Sequence, residues 1–281
     1  MRNKTMAVLE ALAMAALLAG CGGSVGERRA RLSPTEGVVI PDGGTDAAVL
    51  PKFKCSGSVA PFDCSMPFAL HPDGHVTDFS AREWDNNSGK WCDESGFHGS
   101  LYSYTNSASF PQDTHTQKVD TDGALHMAFM VTGGQYGGGG LAFEGGCLDV
   151  SAFTGVQFTV AVVSGSLASC PLQLQLQTFD ARPTTQTPPG GCDQNTTSCY
   201  SFPAATSLPA ISTDPANPTL VQLPFPSFSK IAGELTQIVG LQWQVNAQAA
   251  CTVEIKIDDV AFIPAAAPPE PGDSDGGTAQ D

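Results

Sequence analysis

The fold class is decided by Gly240-Leu-Gln-Trp-Gln-Val-Asn246 and by Cys251-Thr-Val-Glu-Ile-Lys-Ile-Asp-Asp-Val-Ala-Phe-Ile263, two runs separated by a short polar turn. Apolar and polar side chains alternate over residues 241–246 of the first run and over residues 253–258 of the second. Period two is typical of a half-buried β-strand. The second run stops at Pro264, so we expect it to be the last strand of the domain.

The same alternation recurs upstream, most clearly at 171–178, where leucines point inward and glutamines outward. Thirty Gly and 21 Pro favour strands and turns over helices. The sequence therefore predicts an all-β protein, a jelly-roll β-sandwich of eight or nine short strands, with an up-and-down barrel as the alternative. Further strands are predicted at 124–131, 141–143, 155–163 and 220–225, the last an edge strand because Pro224 cannot donate to a ladder.

The first twenty residues read as a targeting segment, with Arg2 and Lys4 ahead of an apolar run. The tetrapeptide Leu18-Ala-Gly-Cys21 resembles a bacterial lipobox. That resemblance implies cleavage before Cys21, acylation of its thiol and amine, and a lipid-anchored protein of the outer membrane, periplasmic or surface-exposed. A plain secretory signal is the alternative.

The remainder divides into a flexible tether over 21–70, a domain over 71–264 and an acidic, disordered tail over 265–281. The formal net charge of −15 disfavours nucleic acid as a partner. We expect a monomer.

Eight cysteines remain beside Cys21, and in an exported protein an even number indicates disulfides, here four. The pairs that suggest themselves are Cys192 with Cys199, Cys55 with Cys64, and Cys170 with Cys251. Zinc is disfavoured because the sequence contains no Cys-x-x-Cys pair. The eight are Cys55, Cys64, Cys92, Cys147, Cys170, Cys192, Cys199 and Cys251.

The glycine-rich segment 133–140 lacks the Lys-Ser/Thr ending of a phosphate-binding loop, so we expect a strand-connecting loop or bulge. No catalytic motif was found, and we expect no enzyme activity. A two-carboxylate glycoside hydrolase is a remote alternative, because its two residues can be distant in sequence.

Six segments occur in a characteristic order along the chain: Val76-Thr-Asp-Phe79, Gly89-Lys-Trp91, Tyr102-Ser-Tyr104, Gly140-Leu-Ala-Phe143, Leu148–Phe158 and Ile257–Ile263. Over residues 76–263 this co-linear set is similar to the galactose-binding-like jelly rolls of non-catalytic carbohydrate-binding modules, and most to the glucan-binding family 11 group. The resemblance implies a concave sheet face on which tyrosines and polar residues bind an oligosaccharide or polysaccharide.

The outward positions of the best strands are polar and carry no aromatic ring, a departure from that family. Glutamine can donate to and accept from sugar hydroxyls, but rings would have to come from the rim. A plain solvated surface is the alternative, in a structural or protein-interaction lipoprotein that has lost sugar binding. Trp243 points with Leu241 and Val245, so we assign it to the core. The candidate rings are Trp84, Trp91, Tyr102, Tyr104 and Tyr136. The outward polar positions are Gln157, Thr159, Gln173, Gln175, Gln177, Gln242, Gln244, Glu254 and Lys256, of which Gln173, Gln175, Gln177, Gln242 and Gln244 are the candidate sugar contacts.

The same resemblance implies a structural Ca²⁺, with Asp258 as the first candidate ligand and Asp78 as the second. An ordinary exposed or hydrogen-bonded Asp is the alternative for both. No organic cofactor is expected.

Overall fold

The structure, a computed structural model, describes residues 63–266 except 86–87, 94–96, 106–108, 187–188, 196–198, 207 and 232–233. All of these belong to the compact unit that spans residues 49–281. The expected leader, Cys21, Cys55, the tether up to residue 62 and the tail from residue 267 lie outside the described residues. In the described part, no helix is long and apolar enough to cross a membrane.

The described chain is built of strands, with short 3-10 turns at Phe179–Ala181 and Phe225–Ser227. In chain order the strands are β1 (Asp63–Ala69), β2 (His75–Thr77), β3 (Trp84–Asp85), β4 (Lys90–Cys92), β5 (His98–Thr105), β6 (Thr114–Val119), β7 (Leu125–Val131), β8 (Tyr136–Phe143), β9 (Gly146–Asp149), β10 (Phe153–Gly165), β11 (Leu172–Thr178), β12 (Ala204–Ala205), β13 (Thr219–Pro224), β14 (Ile238–Asn246) and β15 (Cys251–Pro264).

Two sheets make up the fold. The larger sheet runs β1-β9-β14-β8-β5-β4-β3. In addition, β11 pairs with β14, and β12 pairs with β11. The smaller sheet runs β13-β10-β15-β7-β6, with β2 beside β15. The two diagnostic runs therefore become β14 and β15, in different sheets. β15, the last strand of the described residues, stops at Pro264, as predicted.

The core lies between the sheets, where the apolar faces of both meet. Trp243 of β14 is fully buried and meets Phe158 of β10 edge to face, with ring centroids 5.6 Å apart. This contact confirms the assignment of Trp243 to the core and the all-β sandwich prediction. β13 is an edge strand, also as predicted.

The folded part begins earlier than predicted. β1 precedes residue 71 and pairs in parallel with β9. Its sequence, with Pro67 and little alternation, gives no strand signal, but a disulfide from Cys64 to Cys147 joins the two strands. The expected pair of Cys55 with Cys64 is therefore wrong.

Two further disulfides are the pairs that the sequence predicted. Cys170 bonds to Cys251 and links the start of β11 to the start of β15, and Cys192 bonds to Cys199 within the β11–β12 connection. Cys92 is disulfide-bonded as well.

The prediction of a loop over 133–140 is wrong for most of that segment. Gly137–Gly140 lie inside β8, between β5 and β14, and are buried. Because glycines have no side chains, the sequence shows no alternation there and gives no strand signal. Hydrogen bonds to β5 on one side and to β14 on the other hold the strand in place.

Candidate functional site

One face of the larger sheet gathers tyrosines and amides from four adjacent strands. Gln175 of β11 is opposite Gln242 of β14, which is opposite Gly140 of β8, which is opposite Tyr102 of β5. Directly paired residues point to the same side of a sheet, and positions two apart on each strand share that side. We call this face the Tyr–Gln surface. It consists of Gln173, Gln175, Gln177, Gln242, Gln244, Asn246, Tyr102, Tyr104 and Tyr136.

The two β5 tyrosines reach across β8. The Tyr102 hydroxyl donates to Gln242 Oε1 at 3.0 Å and the Tyr104 hydroxyl donates to Gln244 Oε1 at 2.6 Å. β5 and β14 lie on opposite sides of β8, about 10 Å apart, so a phenol can join them only by leaning over β8.

Gly138 makes room for this posture. A Cβ added there would lie 2.3 Å from the Tyr104 hydroxyl and 2.6 Å from the ring carbon that bears it. The hydroxyl end of the Tyr104 ring therefore lies over the backbone of β8, in the space that any larger side chain would fill. The ring is half-buried and places apolar surface next to the hydrogen-bonding amides.

Tyr136 continues the aromatic part of the surface at the start of β8. Its side chain is 45% exposed, and its ring centroid is 6.2 Å from that of Tyr104. Three rings, two of them fixed by hydrogen bonds, thus stand on the same face as the glutamine rows. The expectation that rings would come only from the rim is corrected for Tyr102 and Tyr104.

Both β5 hydroxyls stay protonated at neutral pH. Burial, together with the neighbouring Tyr104, raises the pKa of Tyr102 well above its usual range. Burial and the neighbouring Tyr136 do the same to the pKa of Tyr104. The surface is therefore lined by neutral amides and phenols, which form hydrogen bonds without exchanging protons.

Trp84 and Trp91 were predicted as platform rings, and that prediction is wrong. Trp84 is 5% exposed and Trp91 is fully buried, packed edge to face on Phe97 with centroids 5.0 Å apart. Polar neighbours in the sequence made both look like surface residues, but β3 and β4 turn them into the core.

Several outward polar residues belong to the other sheet. Lys256 of β15 pairs with Asp122 at 2.8 Å, and Gln157 of β10 accepts a hydrogen bond from Gln222 at 3.1 Å. These side chains, with Thr159 and Glu254, lie in the smaller sheet. They are not part of the Tyr–Gln surface, because the alternation of a strand indicates a face but not the sheet to which it belongs.

Sequence reasoning missed three polar residues that belong to the surface or lie beside it. Asn246, at the end of β14, accepts from Gln244 Nε2 at 2.7 Å. Lys90 on β4 is opposite Ser100, on the same side as Tyr102, and forms a 2.8 Å ion pair with Glu144. Burial opposes ionisation of Glu144, but hydrogen bonds from Lys90 and Ser100 hold its pKa below the usual range.

A third neighbour is Arg182, in the β11–β12 connection that the Cys192–Cys199 disulfide closes. The Arg182 side chain is 6% exposed, and its charge interacts with the hydroxyls of Tyr102 and Tyr200. Desolvation lowers its pKa below the usual value. An isolated Arg among Pro, Thr and Gly carries no periodic signal that would have identified it.

The two candidate calcium ligands are brought together. β2 pairs with β15, which places Asp78 next to the segment that begins at Asp258. Burial and the charges of Asp259 and Asp78 raise the pKa of Asp258 to about 7. Carboxylate oxygens suit a hard cation. The described residues contain no group of three or more His, Cys, Asp or Glu side chains that could hold a metal ion.

No protein-family model and no curated protein matches this sequence. Among solved structures, the family 11 carbohydrate-binding module from Clostridium thermocellum, determined with a β-1,3-1,4-mixed-linked tetrasaccharide, is 13% identical. The similarity covers 59% of this chain and 89% of the module, with a TM-score of 0.40. A family 30 carbohydrate-binding module is 12% identical over 56% of this chain and 78% of its own, with a TM-score of 0.36.

The glycoside hydrolase domain of Endo-D from Streptococcus pneumoniae R6 is 10% identical over 61% of this chain and 22% of its own, with a TM-score of 0.35. All three scores describe a loose overall likeness.

Proposed function

We propose that this protein is a non-catalytic carbohydrate-binding protein whose Tyr–Gln surface binds a glycan. The observation that carries the proposal is the posture of Tyr104, which lies on Gly138 between rows of amides. Sugar recognition needs apolar platforms beside donors and acceptors for hydroxyl groups. The surface offers both, and its amides and protonated phenols are suited to binding and not to chemistry.

Glycan binding is tested by screening the purified domain against a panel of neutral glycans that includes a β-1,3-1,4-linked glucan tetrasaccharide. Hits are then measured by calorimetry. We expect Tyr104→Ala to weaken binding about ten-fold or more, since a stacked aromatic contributes about 0.5–1.5 kcal/mol beyond its buried area, on top of its lost hydrogen bonds. Gln175→Ala should weaken it by a smaller factor.

Gln157→Ala is the matched control, because this glutamine lies in the smaller sheet. It should bind like the wild type. If a well-folded wild-type domain binds none of the panel, the sugar-binding proposal is wrong and the alternative, a structural or protein-interaction lipoprotein, is favoured.

We also propose that the protein is anchored by lipid at Cys21, in the outer membrane. Support comes from the Leu18-Ala-Gly-Cys21 tetrapeptide and the apolar run before it. Cys21→Ser should move the protein from the membrane fraction to the soluble fraction, as followed by immunoblot of fractionated cells. Retention of the serine variant in the membrane would exclude acylation of Cys21 as the anchor.

A further inference from the structure

The amide of Gln242 uses its entire hydrogen-bonding capacity inside the protein. A glutamine side chain offers two N–H donors and two acceptor lone pairs. Oε1 of Gln242 accepts from the Tyr102 hydroxyl at 3.0 Å and from Gln177 Nε2 at 2.9 Å. Its Nε2 donates to the Tyr104 hydroxyl at 2.7 Å and to Gln175 Oε1. Nε2 also lies 3.5 Å from Gln244 Oε1, a longer contact. With both donors and both lone pairs engaged and a side chain 5% exposed, Gln242 has nothing left for a ligand.

Gln173 and Gln175, by contrast, keep unused hydrogen-bonding groups. Gln173, two positions along β11 from Gln175, makes no side-chain hydrogen bond to any residue that the structure describes, and it is partly exposed. Gln175 engages its carbonyl with Gln242, and no described residue accepts from its two N–H donors. A sugar hydroxyl can therefore bind these two amides directly, whereas binding Gln242 would first break a buried bond at a cost in affinity.

Through these hydrogen bonds Gln242 connects β5 to β11. Tyr102 and Tyr104 come from β5, whereas Gln175 and Gln177 come from β11. β8 and β14 lie between those two strands. Buried side chains in a satisfied network are held in single rotamers. Gln242 thus fixes, at one point, both the tilt of the rings and the direction of the outer amides.

From this arrangement, and on the basis of the proposed function, we infer that Gln242 is a positioning residue of the glycan-binding surface. It does not touch the glycan. It holds Tyr102, Tyr104 and Gln175 in their binding geometry before the glycan arrives. Binding therefore does not have to immobilise these three side chains. This corrects the prediction that Gln242 is itself a sugar contact.

The test replaces Gln242 by methionine, which has a similar shape and no amide, and uses Gln173→Met as the matched control. The first readout is the NMR signals of the Tyr102 and Tyr104 rings in the ligand-free domain. We expect Gln242→Met to shift and broaden them and Gln173→Met to leave them unchanged. Gln242→Glu keeps the acceptor bonds to Tyr102 and Gln177 but cannot donate to Tyr104. It should disturb the ring of Tyr104 more than that of Tyr102.

The second readout is the affinity for the tightest glycan of the panel, measured alone and together with Tyr104→Phe. Gln242→Met should weaken binding about ten-fold in the wild-type background and clearly less in the Tyr104→Phe background, because part of what it positions is already lost. Gln173→Met should weaken binding by the same factor in both backgrounds.

Unchanged ring signals in Gln242→Met would overturn the inference, and so would a loss of affinity that adds in full to that of Tyr104→Phe, since full addition is the behaviour of an independent contact. A wild-type domain that binds no glycan contradicts the proposed function instead. The ring signals would then still decide whether Gln242 positions the tyrosines.

Discussion

Gly137 and Gly138 are neighbours in β8 whose missing side chains would point to opposite faces of the larger sheet. A Cβ at Gly137 would meet Val131, Phe129 and Thr105 at 3.4–3.7 Å, which is ordinary contact. A Cβ at Gly138 would collide with the Tyr104 ring. The pair therefore separates the effect of adding a methyl group to β8 from the effect of lifting Tyr104.

Gly138→Ala should weaken glycan binding about as much as Tyr104→Ala, because the displaced ring loses its bonds to Gln244 and Gln242. Gly137→Ala should bind like the wild type and gain up to about 1 kcal/mol of stability, since a glycine in a strand interior costs roughly that much relative to alanine. Calorimetric titration and thermal melting measure both effects.

Equal glycan affinity of the two alanine variants would contradict the proposed posture of Tyr104. If Gly138→Ala proves unstable, adding Tyr104→Ala should restore its melting temperature, because the methyl group then no longer clashes with the Tyr104 ring. A double variant as unstable as Gly138→Ala alone would place the clash elsewhere.

At the scale of single residues, the sequence predicted which glutamines share one face but not which of them are exposed. The glutamines at 173, 175, 177, 242 and 244 all share one face, as their spacing in two alternating strands requires. Whether a given glutamine faces solvent or is saturated by neighbours depends on partners about 65 to 140 positions away. No local pattern contains that information.

At the scale of elements, the predictable strands were those whose core-facing positions are apolar. β11 and β14 alternate cleanly and were found within two residues of their ends. β5 was missed because Gly99, Leu101 and Ser103, which share one face of the strand, give no hydrophobic period. The rings of the site stand over β5 and β8, two elements with weak signals, because rings can lean over a strand only where that strand lacks side chains.

At the scale of the whole molecule, the outward polar residues that the sequence presented as one set lie on two different sheets. The larger sheet carries the Tyr–Gln surface. The smaller sheet carries Glu254 and Lys256, which pairs with Asp122, and both candidate calcium ligands lie on it or directly after one of its strands. A variant in the smaller sheet therefore need not disturb the proposed glycan site, and a variant in the larger sheet need not disturb the proposed cation site.

We propose that Ca²⁺ binds at Asp78 and Asp258 and stabilises the fold. These carboxylates are partly buried near one another and near Asp259, so they repel each other in the absence of a cation. Saturating Ca²⁺ at about one hundred times its dissociation constant would add about 2.7 kcal/mol. For a domain of this size that raises the melting temperature by roughly 5–10 °C relative to a chelator.

The effect of Asp258→Asn should change with calcium, which makes the test specific. In chelator the variant should melt at or above the wild-type temperature because a repulsive charge is removed, whereas in Ca²⁺ it should melt below the wild type because a ligand is lost. Asp122→Asn is the control: Asp122 has Lys256 and His126 as partners, so its effect on melting should be the same in both buffers. A wild-type melting temperature that does not respond to Ca²⁺ or chelator would mean that the two carboxylates hold no structural calcium.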